Sequence, residues 1–68
     1  VITTPWNIIL KKDTTAHDNF GQLIVVAAGT VGDLLDVIQA QSYWVQFPNI
    51  PPTLIWPDDC ELVRKPGR

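Results

Sequence analysis

The chain has 68 residues, with five Lys and Arg against seven Asp and Glu, one cysteine and no methionine. That length allows one domain with a thin core, because a chain of about 60 residues buries only about 60% of the surface its unfolded form exposes. One cysteine, Cys60, excludes an intrachain disulfide framework, and with His17 as the only other soft ligand the sequence falls short of a usual zinc site. No cofactor or metal is expected. Self-association is the support that remains for so small a domain, so a homo-oligomer is expected.

Basic residues cluster only at Lys11 and Lys12 and in the tail at Arg64, Lys65 and Arg68. The basic stripe of a nucleic-acid binder is missing, and nucleic acid is not an expected partner. The longest apolar run, residues 23–28, is far short of the ~20 residues that span a bilayer, and no signal-peptide pattern is present. A membrane is therefore not expected as a partner either. A lone free thiol points to a cytoplasmic setting. The lack of methionine implies a removed initiator or a cut chain, from which a leader has room to have been lost.

Residues 1–5 read as a flexible N-terminal lead-in ended by Pro5. In "WNIILKK" (6–12) Trp6, Ile8 and Leu10 alternate with Asn7, Ile9 and Lys11, the period of a strand. "DTTAHDNFG" (13–21) is polar and turn-rich, a long first loop. "QLIVVAA" (22–28) is apolar on both faces, which predicts a covered central strand. Gly29 supplies a turn, and Gly32 inside an apolar run predicts a bulge or sharp bend. "DLLDVIQ" (33–39) has a spacing that suits a short helix as well as a strand, and a strand is preferred because it joins two clear strands. "YWVQF" (43–47) sets Tyr43, Val45 and Phe47 against Trp44 and Gln46. The proline loop 48–52 cannot be helical. "TLIW" (53–56) is a short strand, "PDDC" a tight turn or 3₁₀ step, and "ELV" (61–63) a last strand before the flexible polar tail 64–68.

Five or six short strands without a conventional helix predict an all-β domain over residues 6–63. The order of events resembles the SH3-like small barrels: a strand, a long first loop, "AGTVG" opening a strand, "YWVQFP" leaving it, then "LIWP" and a one-turn "PDDCEL". The resemblance implies a five- to six-stranded SH3-like barrel with a one-turn 3₁₀ step before the last strand. Signalling members of that family bind proline-rich helices through aromatic residues of an Ala-Leu-Tyr-Asp-Tyr first loop. Here that loop offers only Phe20. The plasmid-borne dihydrofolate reductases, tetramers of such barrels, build their site from a Val-Gln-Ile-Tyr-Pro strand. The matching stretch keeps Ile55 and Pro57 but has Leu54 and Trp56 for the glutamine and tyrosine, so that activity is not carried over. Fold likeness alone assigns no function.

Four candidate chemistries stand out. "GTVGD" has no lysine and places Asp33 where a phosphate would be repelled, so a turn accounts for it better than an anion loop. His17 beside Asp18 has no apparent nucleophile and reads as a loop histidine. Cys60 lies among Asp58, Asp59 and Glu61, which raise a thiol pKa, and reads as a small core or interface residue. Those three acids, joined by Asp33 and Asp36, read as a solvated face first and otherwise as a candidate acidic patch, suited to a basic partner better than to a metal.

The aromatic residues carry the functional expectation. Three Trp, two Phe and one Tyr are many rings for this core. They either cap the openings of a barrel or, with Trp44 beside Ile9 or Ile55, form an exposed apolar face. The expectation is a protein-interaction or assembly module, self-associating, with a binding surface of Tyr43, Trp44, Pro48, Pro51, Pro52 and Trp56. The alternative is an enzyme or small-molecule binder whose site forms between subunits at a symmetry axis.

Overall fold

The computed structural model describes residues 4–39 and 41–66. Among them the chain is all-β, with seven strands, one 3₁₀ turn and no α-helix. β1 (Trp6–Leu10), β4 (Val31–Ile38), β5 (Ser42–Gln46), β6 (Thr53–Ile55) and β7 (Cys60–Arg64) make one antiparallel sheet of order β6-β5-β4-β1-β7. β2 (Thr14–His17) and β3 (Leu23–Val26) form a separate two-stranded ribbon. The 3₁₀ turn Pro57–Asp59 lies where "PDDC" predicts it. The expected closed barrel is not formed: the sheet has open ends at β6 and β7. β6 has three residues and runs into Pro57, which has no N–H to donate, so no ladder carries across to β7.

The first loop departs from expectation because half of it is strand. Thr14 to His17 pair with Val26 to Leu23, and the turn is written in "DNFG". The Asp18 carboxylate accepts from the N–H groups of Phe20 (2.8 Å) and Gln22 (2.9 Å), Gly21 donates to the Asp18 carbonyl, and Gly21 takes φ +79°. An Asx turn followed by a left-handed glycine is a hairpin turn, and it converts the Thr-rich arm into a strand. This also corrects the reading of β3 as a covered central strand. β3 has one neighbour, and its Leu23 and Val25 point to solvent while Val26 enters the core. The ribbon is fastened at its base, where Ala28 donates to the Asp13 carboxylate (2.8 Å).

Residues 31–38 are extended, which resolves the helix-or-strand ambiguity in favour of a strand. The bulge sits three residues later than the glycine suggests: Leu34 faces Val45 and Asp36 faces Trp44, leaving Leu35 as the extra residue. Gly32 has a different task. It lies opposite Ile8, and a Cβ there would collide with the side chains of Val45 and Phe47, the Phe47 ring carbons at 2.8 and 2.9 Å. The missing side chain is the space through which β5 packs down on β4. Gly29 is needed for its backbone: it takes φ +88° in a turn where Thr30 bonds back to the Ala27 carbonyl and Gly29 donates to the Leu10 carbonyl (2.8 Å).

One core results, to which every strand contributes: Ile8 and Leu10, Ala16, Val26, Leu34, Val45, Ile55 and Cys60, with Phe47 just beyond β5. Ala16 and Val26 bring the ribbon onto the same cluster that the sheet covers from its inner face. At the termini of the described chain, β7 continues through Arg64, whose guanidinium lies 5.7 Å from the Trp6 ring centroid. Lys65 donates its backbone N–H to the Pro5 carbonyl and pairs with Asp33 through its side chain. Residues 1–3 and 67–68, the outer parts of the expected lead-in and tail, lie outside the described residues.

The two glycines therefore respond differently to substitution. Gly32→Ala forces the Val45 and Phe47 side chains to move and is expected to cost about 1–3 kcal/mol, the usual penalty of overpacking. Gly29→Ala meets open space, and only its left-handed backbone resists, at about 1–2 kcal/mol. Urea unfolding checks the cause through double-mutant cycles: with Val45→Ala, the Gly32→Ala loss should be less than additive, whereas the Gly29→Ala loss should simply add.

Candidate functional site

Strand alternation sends Val45 and Ile55 into the core and therefore puts Trp44 and Leu54 on the outer face of the sheet. Register makes them neighbours: Asp36 on β4 faces Trp44 on β5, which faces Leu54 on β6. Trp56 follows directly after β6 in extended conformation (φ −76°, ψ 141°), one residue before the 3₁₀ turn. Trp56 is 61% exposed and Leu54 53%, while Trp44 is half-buried. The result is an acid, an indole and a leucine in one cross-strand row, with a second indole at the end of β6.

The structure brings together only part of the expected binding surface. Trp44 is on the outer face, and Trp56 is exposed at the end of β6. Tyr43 is on the other side, facing Ile55 and Val37 across the sheet and packed against the core. The proline loop lies at the opposite end of β6 from Trp56, about 13 Å from Pro52 to Trp56 at strand spacing. Pro48 and Pro51 are exposed, Pro52 partly so. The loop is pinned by Gln46, whose Nε2 donates to the Phe47 and Ile50 carbonyls, and it touches the ribbon turn where Asn19 Nδ2 donates to the Asn49 carbonyl (3.3 Å). Of the two isoleucines considered as neighbours of Trp44, Ile55 is buried and Ile9 lies on β1, two strands away. Leu54 takes that place. The parity of "TLIW" carries this signal, since Leu54 and Trp56 share one parity and Ile55 has the other.

The acids are distributed rather than pooled. Asp33, half-buried, holds the Lys65 ammonium against its Oδ1, an ion contact without a directed hydrogen bond. Asp59 pairs with Lys12 (3.1 Å). Glu61 is exposed on β7 opposite Ile9. Asp36 and Asp58 are exposed and form no ion pair among the described residues. Among the described residues no three of the His, Cys, Asp and Glu side chains gather as metal ligands, and no helix is long and apolar enough to cross a membrane, which says nothing of strands.

His17 is exposed at the end of β2, and its sequence neighbour Asp18 is occupied with its own turn. Cys60 is buried, its Sγ 3.7 Å from the Trp56 carbonyl. Burial, and then the Asp59 carboxylate, push the thiol above its ordinary value, with Lys11 acting the other way. The sequence points to neighbouring acids as the cause; burial in the core comes first because Cys60 faces Leu10 across the β1–β7 ladder. A thiol pKa raised by folding means that the native state keeps a proton the unfolded chain releases, so stability is lost as pH rises past the unfolded value of about 8.5. The thermal midpoint should accordingly fall more between about pH 8 and about pH 10 than that of Cys60→Ser, and Cys60 should react with a thiol reagent at pH 7 only on unfolding. Compared with known proteins, the chain matches no family model, no curated protein and no solved structure.

Proposed function

We propose that this chain is a small protein-interaction and assembly module of SH3-like topology, working in the cytoplasm on a protein partner, with the outer face of β5 and β6 as its contact surface. The topology is supported by the element order: β1, a hairpin in place of the first loop, the β4-β5-β6 meander, a 3₁₀ turn, and β7 returning to pair with β1. The observation that carries the function is Trp56, more than half exposed and two residues after an exposed Leu54 that faces Trp44 across the β5–β6 ladder. Isolated exposed leucines are ordinary, whereas adjoining indole and leucine surface on a strand pair is the composition of an interface anchor.

Self-association is assigned to a second surface. The outward face of the β2–β3 ribbon carries Leu23 and Val25, each 67% exposed, with Phe20 at the turn 91% exposed. A two-stranded ribbon with one apolar face on the core and another in water is stabilised by covering the second.

Sedimentation equilibrium and thermal melts on single variants separate the two surfaces. Leu23→Thr with Val25→Thr, which keep strand propensity, should shift the chain toward monomer with little change in the melt of that monomer. Trp56→Ala should leave both the oligomer and the melt in place, within about 0.5 kcal/mol for so exposed a side chain, and abolish partner binding. A monomer at all concentrations in the parent chain counts against the assembly half of the proposal; retained partner binding by Trp56→Ala counts against the contact surface.

A further inference from the structure

We propose that the partner segment received by the Trp44–Leu54–Trp56 strip carries a cationic side chain, arginine or lysine, flanked by apolar residues, with Asp36 as its counter-charge. This rests on the reading of the strip as a contact surface and names the chemistry that the surface selects.

The argument begins with register. Asp36 stands directly across from Trp44, and Trp44 directly across from Leu54. Side chains facing one another across an antiparallel pair have Cβ atoms about 4.5–5.5 Å apart, so one guanidinium laid on the Trp44 ring is within reach of the carboxylate. Asp36 is exposed, and its one hydrogen bond is accepted from the N–H of its own neighbour Val37 (2.8 Å), which leaves the negative charge in place. Asp58, also exposed, follows two residues after Trp56.

The cations among the described residues lie elsewhere. Lys12 pairs with Asp59, Lys65 with Asp33, and Arg64 lies over Trp6. Lys11 lies near Cys60, where its charge opposes the rise of the thiol pKa. Among the described residues none of them pairs with Asp36 or Asp58. Among the described residues the strip is therefore an apolar aromatic surface bordered by a carboxylate, Asp36, that forms no ion pair.

Three kinds of partner face different costs there. A wholly apolar segment covers Asp36 and strips its water without return. An acidic segment adds repulsion. A segment with a cation between apolar groups covers Leu54 and the indoles, neutralises Asp36 and places positive charge over a Trp face, the aromatic surface that holds cations best.

The test pans a library of random 12-residue peptides, displayed on phage, against the full chain at about 50 mM salt, where charge contributions are least screened. Enrichment of sequences with Arg or Lys next to aliphatic or aromatic residues is expected. A selected peptide made synthetically should lose about two- to fivefold in affinity when its Arg or Lys is replaced by Gln, and a similar factor on Asp36→Asn. The two changes together should cost little more than either alone, and Trp56→Ala should weaken the parent and Gln peptides alike. Enriched peptides that need Trp56 but carry no cation, or are indifferent to Asp36→Asn, overturn the charge assignment and leave the contact surface standing. No enrichment, or peptides bound equally by Trp56→Ala and Trp44→Ala, removes both. Circular dichroism of each variant confirms that the fold is retained.

Discussion

A core this small depends on Gly32 having no side chain. β4 is the strand on which both halves of the sheet meet, with β1 on one side and β5 on the other, and Gly32 sits on its inner face opposite Ile8. The Phe47 ring and Val45 fill the space a Cβ would take. A protein interior is packed to crystal-like density, and a void or a clash of one methyl is felt throughout so few layers. Through that contact the strand leaving the core at Phe47 is fixed against the strand entering at Ile8, and the ribbon settles its Ala16 and Val26 on the surface so made.

Fixing the inner face also fixes what is left outside. Because Val45 and Ile55 must point inward, Trp44 and Leu54 must point outward, and Trp56, just past the end of β6, leaves a second indole exposed. The Leu35 bulge then sets which residue of β4 faces Trp44. Without it, the period-two alternation from Leu34 would still run, but Leu35 and not Asp36 would stand across from the indole. An extra residue in one strand thus places a carboxylate where a leucine would otherwise lie. The charge pattern follows the same division: among the described residues Asp33 and Asp59 each pair with a lysine, and Asp36 at the apolar strip forms no ion pair.

The ribbon shows how local chemistry and tertiary packing divide the work. Its turn is encoded residue by residue, with Asp18 accepting two backbone N–H groups and Gly21 taking the left-handed conformation. Once that turn forms, Thr14 to His17 have a partner, and a polar stretch becomes a strand. The polar composition of the segment hid this, although the β-branched Thr14 and Thr15 and the "DNFG" turn contain the signal. The consequence is a ribbon whose outward side is the most exposed apolar surface of the described chain.

The sequence by itself determined the all-β class, strands within residues 6–12, 43–47 and 53–56, a tight turn or 3₁₀ step at Pro57, and the opposite orientations of Tyr43 and Trp44, because these follow from alternation and from the backbone limits of proline and glycine, which act within a few residues, whereas for residues 33–39 it left helix and strand both open. Only the tertiary structure decided that the sheet stays open at β6 and β7, that Gly32 serves close packing and not a bulge, that burial dominates at Cys60, and that the proline loop and Trp56 lie apart. Each of these depends on which residues meet across strands distant in the chain, and pairing partners are chosen by the packing of the whole core, which no local window of sequence contains.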